Sequence, residues 1–131
     1  MEKNYSKINM SMFDKDLAEK GRAVVGQELG LTGCEISFNH MPAGTFVPMV
    51  HSHKLNEEVY IIIGGSGDFK VDDDEFPIAE RDVIRITPAG ERAIRAGAEG
   101  LNYICIQSQN GSLTQSTMDD ALISESKASW M

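Results

Sequence analysis

His51-Ser52-His53-Lys54-Leu55-Asn56-Glu57-Glu58-Val59-Tyr60-Ile61-Ile62-Ile63-Gly64-Gly65-Ser66-Gly67 is the stretch from which the rest of this chain is read. In an extended chain alternate side chains point the same way, so His51 and His53 converge on one point while Ser52 faces away. Glu57 or Glu58 adds a carboxylate at short range. The apolar run Val59 to Ile63 follows, with the period of a strand covered on both faces. Gly64 to Gly67 then reads as the turn of a hairpin. Two imidazoles and one carboxylate on a common face are a donor set suited to Fe(II), Mn(II), Ni(II) or Zn(II), with coordination positions left open. The third histidine, His40, reads as an ordinary satisfied residue.

Upstream of this stretch, residues 1–10 are polar and unpatterned, an expected arm. Ser11 as N-cap, early acids, Lys20 and a terminal Gly21 predict a short helix over 12–20, with Phe13 and Leu17 on one face. Arg22 to Leu29 reads as a strand. Cys34 to His40 alternates, with Cys34, Ile36 and Phe38 on one face and Glu35, Ser37 and Asn39 on the other. Met41 to Gly44 is a turn, and Pro48 marks 45–50 as an edge or irregular segment.

Downstream, Asp68 to Val71, Glu75 to Ile78 and Arg81 to Ile86 are strands, the first two joined by a solvated turn at Asp72-Asp73-Asp74. Thr87 to Gly90 turns again. Arg92 to Ala96 and Leu101 to Gln107 are the last strands, separated by Gly97 and Gly100. Short strands at close spacing predict an all-β protein, an antiparallel sandwich or barrel. The organisation expected is a single domain over 1–131: arm and helix 1–21, barrel core 22–107, and a polar tail 108–131 forming a last strand or short helix on the outside. The runs Val59–Ile63 and Tyr103–Ile106 need cover on their outer faces from the helix, the tail or a second subunit, and a homodimer is the expected solution.

Composition narrows the function classes. A net charge of −8 in 131 residues argues against a nucleic-acid partner, which requires a surplus of Lys and Arg. No window approaches the roughly 18 apolar residues of a membrane span. The first residues carry no apolar segment after their charges, so no signal peptide is expected. Cys34 and Cys105, each inside an apolar block, read as reduced thiols of a cytoplasmic protein rather than a disulfide. No Ser/His/Asp set and no phosphate-binding glycine loop is evident.

Gly44, His51-x-His53, Glu58 and Gly65-x-Gly67 together resemble the first motif of the cupin superfamily, Gly-x5-His-x-His-x3–4-Glu-x6-Gly. The Gly-to-His gap here, Thr45 to Val50, is six residues, one longer than that pattern. The resemblance selects Glu58 over Glu57 as the carboxylate ligand. Arg81 to Gly90 resembles the start of the second motif through its Pro88-x-Gly90 turn, and the likeness spans about 33–107. It implies a small single-domain conserved-barrel protein: an antiparallel double-sheet jelly roll with a metal at His51, His53 and Glu58 and a small molecule in the barrel.

The histidine that normally closes the second motif as fourth ligand is missing, and the position falls on Arg92 or Ala93. With Arg92 inward, Ile94 is inward and Arg95 outward, which is more economical of apolar surface, so Arg92 takes the position. A guanidinium cannot ligate metal and repels a dication. Arg92 is therefore expected to pair with Glu58 or to grip an anionic substrate. Tyr60, facing the cavity two residues after Glu58, is the other catalytic candidate. Tyr103 and Gln107 share a face of the last core strand and join Arg92 and Tyr60 as substrate-binding candidates. Two function classes follow: a metal-dependent enzyme of dioxygenase or isomerase type, or a metal-free binding module in which arginine replaces the fourth ligand.

Overall fold

The computed structural model describes residues 3–115 and 117–131. A 3-10 turn, Met10–Phe13, runs into helix α1, Asp14–Lys20. The strands are β1 (Arg22–Val24), β2 (Glu35–Met41), β3 (Asn56–Val71), β4 (Asp74–Ala79), β5 (Val83–Ile86) and β6 (Arg92–Gln109). A short helix α2 (Gly26–Leu29) separates β1 from β2, and α3 (Thr117–Asp120) lies in the tail. All pairings are antiparallel, in the order β1-β2-β6-β3-β4 with β5 on β3.

The long central pair β3 and β6 carries the architecture. One half of β6, Leu101–Gln107, pairs with β2, and the facing half of β3 pairs with β5. The other half of β3 pairs with β4, while residues 45–51 run along the opposite edge of β6 through bridges at Phe46↔Arg95 and His51↔Arg92. Bent in the middle, the pair contributes to two facing layers. Tyr60, Ile62, Phe69, Ile78, Ile94, Leu101 and Tyr103 thereby share one core, an antiparallel double-sheet jelly roll with a short N-terminal helix.

The bend corrects the sequence reading. Gly64 to Gly67 do not close a hairpin, and Gly97 and Gly100 do not separate two strands. Both groups lie inside continuous strands, at register shifts between Ile62 and Gly64 and between Gly65 and Gly67. Gly65 has φ +79°, and a Cβ there would overlap the Gly100 carbonyl oxygen. Gly65 and Gly67 mark bulges where two backbones approach too closely for a side chain.

Three local expectations also change. The segment Arg22 to Leu29 is a strand only to Val24. It then coils into α2, whose Gly26 N–H is accepted by Glu35 Oε1 at 2.7 Å and whose end is the left-handed Gly30 at φ 71°. The N-cap of the first turn is Asn9, which accepts from Ser11 N–H, rather than Ser11 itself. The tail takes the short-helix alternative, α3, but its apolar residues Leu113, Met118, Leu122, Ile123 and Trp130 are exposed rather than packed on the barrel.

β2 presents its polar face inward. Ser37 and Asn39 are buried toward the barrel, whereas Ile36 and Phe38 face out beneath a second cluster built on Phe13, Ala23 and Val25. Phe13 and Phe38 meet at 6.1 Å between ring centroids. Helix α1 thus covers the apolar outer face of β2 and leaves the inner face free to line a cavity.

Candidate functional site

The site sits where β3, β6 and the 45–51 segment converge. His51 is fixed by reciprocal backbone bonds with Arg92 (His51 N–H to Arg92 O, 3.1 Å; Arg92 N–H to His51 O, 2.9 Å), and His53 N–H donates to Pro88 O at 2.9 Å. Strand phase turns Glu58, Tyr60 and Ile62 inward, and Glu57 with Val59 and Ile61 outward. Glu58 is 3% exposed and Glu57 only half-buried. The structure gathers His51, His53 and Glu58: one donor atom from each lies within 4.8 Å of the others. His53 Nε2 is 3.3 Å and His51 Nε2 3.9 Å from Glu58 Oε1.

The rings of His51 and His53 meet edge-on, 5.3 Å apart. Burial, only partly opposed by Glu58, holds the His51 imidazole below its usual pKa, with help from Arg92, His53 and Arg22. A neutral imidazole is the form that ligates metal. His53 Nε2 is buried and has no hydrogen-bond partner among the described residues. A buried nitrogen without a partner is costly, and a metal ion would satisfy it.

Glu58 is tied from three sides. Arg92 Nη1 donates to Oε1 at 2.5 Å, Tyr60 Oη donates to the same oxygen at 3.2 Å, and Cys105 Sγ donates to Oε2 at 3.2 Å. Burial alone would raise its pKa, but the Cys105 hydrogen bond and the Arg92 guanidinium outweigh it and hold the carboxyl below the usual range. Burial pushes Tyr103 and Cys105 each up to about 12, and Tyr60 well above the ordinary phenol value. All three stay protonated near neutral pH, so Tyr60 acts here as a hydrogen-bond donor to Glu58.

Arg92, at 1% exposure, faces inward, while Ala93 is half-buried and Arg95 exposed. Its Nε donates to Gly90 O, and its Nη2 lies within donating distance of the carbonyls of Thr87, Pro88 and Gly90. The guanidinium is therefore gripped by the Thr87–Gly90 turn on one side and by Glu58 on the other. Of the two roles open to Arg92 in the sequence, pairing with Glu58 is the one this geometry uses.

A cavity of about 370 Å³ opens beside the cluster, with Ser37, Asn39, Met41, Val47, Tyr60, Tyr103, Cys105 and Gln107 in its walls and Lys20 and Arg22 at its rim. Tyr60, Tyr103 and Gln107 thus face it together with His51, His53 and Glu58, whereas Arg92 lies behind them. Sequence reading missed Ser37, Asn39, Cys105, Lys20 and Arg22. The alternation of β2 already separated Ser37 and Asn39 from its apolar face, and Cys105 lies between Tyr103 and Gln107 in strand phase. Nothing local marked Lys20, at the end of α1, or Arg22, which reaches the cavity through the pairing of β1 with β2.

Among solved structures, a cupin protein from Bacteroides fragilis is 40% identical over 94% of this chain and 99% of its own, with a TM-score of 0.83. The chain belongs to the cupin superfamily. Other solved structures share the fold at lower identity. A cupin superfamily protein from Desulfitobacterium hafniense is 18% identical over 70% of this chain and 81% of its own, TM-score 0.58. A predicted oxalate decarboxylase from Thermotoga maritima is 24% identical over 56% of this chain and 64% of its own, TM-score 0.54. No protein-family model and no curated protein matches the chain. No helix of this cupin is long and apolar enough, among the described residues, to cross a membrane.

The donor set of this cupin fits a single divalent ion. His53 Nε2 to Glu58 Oε1, at 3.3 Å, already matches the spacing of two ligands about 2.1 Å from one metal. The His51–His53–Glu58 cluster could hold a metal ion, with Arg92 already hydrogen-bonded to the Glu58 carboxylate.

Proposed function

We propose that this cupin holds one divalent transition ion, Fe, Mn, Ni or Zn, on His51, His53 and Glu58, and binds or transforms a small, oxygen-rich or anionic molecule in the adjoining cavity. The observation that carries this reading is His53 Nε2, buried with no hydrogen-bond partner among the described residues although it lies 3.3 Å from the Glu58 carboxylate that His51 also approaches. When bound, such an ion supplies Lewis acidity with open coordination positions, the requirement of dioxygenase- or isomerase-type chemistry. The chain's own residues do the rest. Arg92, Tyr60 and Cys105 hold the Glu58 carboxylate ionised and fixed in orientation, while Tyr103, Gln107, Ser37 and Asn39 contour the cavity. Neutral His51 is ready to ligate without first losing a proton.

A second reading rests on the 2.5 Å contact between Arg92 and Glu58. There the guanidinium already compensates the carboxylate, and the cavity serves as a metal-free binding module. Metal analysis of untagged protein separates the two. Near-stoichiometric metal in the wild type, lost in His51→Ala and Glu58→Gln, supports the metal reading. No uptake from saturating Fe, Mn, Ni or Zn would sink it and leave the binding module.

The same proposal includes a homodimer and a cytoplasmic location. Val59, Ile61, Ile104 and Ile106 form an outward apolar band on β3 and β6 that is only half-buried, with Ile63 41% and Val83 65% exposed beside it. A second copy laid on this face would cover it. The free thiols Cys34 and Cys105 support a reducing compartment.

A further inference from the structure

The cavity carries a cation that the metal cluster does not use. Arg22 opens β1 directly after Gly21, the left-handed residue that ends α1. Its pairing with Asn39 puts its side chain on the inner face, where it lines the cavity with Asn39 and Ser37. Arg22 is exposed and makes no side-chain hydrogen bond or ion pair with any described residue. Its positive charge is felt across the cavity at His51, Tyr103 and Cys105. Lys20 stands on the same rim, held only by an exposed 3.9 Å contact with Asp16.

The opposite charges near the cavity cancel. Glu58, the carboxylate in its wall, is neutralised by Arg92, and Ser37, Asn39 and Gln107 are uncharged. A protein of net charge −8 therefore encloses a cavity of positive sign, and low-dielectric walls concentrate that field on whatever enters. A guanidinium presents a planar fork of donors that matches two oxygens of a carboxylate or phosphate. Arg92 cannot serve here, since its donors face Glu58 and the Thr87–Gly90 carbonyls. Arg22 is available.

We propose that Arg22 is the specificity-determining residue of the cavity, taking the carboxylate or phosphate of a small organic anion whose other end lies against His51 and His53. The volume of about 370 Å³ limits that anion to the size of a small metabolite. The inference rests on the cavity being the ligand site, as in the proposed function, but not on the presence of metal.

The test is therefore made on chelator-treated, metal-free protein. Calorimetric titrations at low salt compare malonate, inorganic phosphate and the neutral polyol ribitol, for wild type, Arg22→Gln and Arg22→Lys. Binding of malonate or phosphate but not ribitol is expected, weakening as salt is added. Arg22→Gln should weaken the anion by roughly ten- to a hundredfold, the loss of one charge-assisted pair, with the melting temperature unchanged because the side chain is exposed. Arg22→Lys should fall between the two. Malonate preferred over phosphate assigns a carboxylate substrate, and the reverse assigns a phosphate. Wild-type affinity in Arg22→Gln, ribitol bound as tightly as the anions, or no anion bound at tens of millimolar would each overturn the inference. If metal uptake fails while Arg22-dependent binding persists, the anion site stands alone. If metal loads and Arg22→Gln changes nothing, only the anion site falls.

Discussion

Replacing Arg92 by Met tests what the buried arginine does for this site. The methionine fills much of the same volume without charge, so packing is largely kept while Glu58 loses the donor at 2.5 Å. Removing one partner of a buried ion pair costs about 3–5 kcal/mol, because the other charge stays buried and uncompensated. In a domain of this size that corresponds to a fall in melting temperature of about 10–20 °C at neutral pH for metal-free protein. The pH dependence has a definite sign. In the wild type Glu58 titrates below the usual carboxylate range, so its contribution is full above that range and lost as pH falls through the folded value. In the variant, burial is left to dominate and the carboxyl takes up a proton more readily. The gap between the two proteins should therefore be widest near pH 7 and close toward pH 4. Differential scanning calorimetry across that range, with chelator present, gives the comparison. The same substitution removes the cation nearest the metal cluster, so divalent-metal affinity should rise by at least about tenfold. A metal-free variant that melts within about 2 °C of wild type at pH 7, or that binds metal no more tightly, would refute the role given to Arg92.

Other expectations follow from the same geometry. Arg92→His, which supplies a third imidazole, and so a fourth ligand, next to His51, should tighten metal binding in competition against a chelator; unchanged affinity would mean that position 92 does not face the metal. With its thiol raised to about 12 and hydrogen-bonded to Glu58, Cys105 should resist alkylation at pH 8 in native protein, leaving Cys34 as the modified residue on peptide mapping. Gly65→Ala places a Cβ against the Gly100 carbonyl at φ +79° and should lower the urea midpoint by the equivalent of at least about 1–3 kcal/mol; a neutral effect would mean that the bulge relaxes freely. Val83→Asp, on the exposed rim of the apolar band, should shift a dimer to monomer in sedimentation without altering metal uptake.

How much of this was legible in the sequence depends on how local each signal is. Strand alternation is local, so once the resemblance had selected Glu58 the inward phase of Tyr60 followed from spacing, and the phases of Arg92 with Ile94 and of Tyr103 with Gln107 were read in the same way. The glycines misled because their meaning here is not local. Gly65 and Gly67 look like turn residues, yet their lack of a Cβ serves the close approach of Gly100 and Arg95, more than 25 positions away. Likewise the strand read over Arg22 to Leu29 breaks because Glu35, nine residues away, caps a helix that intrinsic propensity did not demand. Arg22 itself was unreadable for the same reason, since only β1–β2 pairing brings it to the cavity.

The substitution at the fourth position also bears on how folding and metal binding are linked. A buried cluster of two imidazoles and a carboxylate would leave Glu58 uncompensated whenever the metal is absent, and folding would then depend on loading. Arg92 removes that dependence. It supplies a permanent positive charge at Glu58 and is itself anchored by the carbonyls of Thr87, Pro88 and Gly90, so the barrel keeps its donor geometry with no ion present. Its cost falls on affinity, because an incoming dication would meet a guanidinium already paired with Glu58. The expected signature is a protein whose melting temperature responds weakly to chelators and whose metal exchanges readily. A steep loss of stability on metal removal in the wild type would show instead that the ion, not Arg92, holds Glu58 in place.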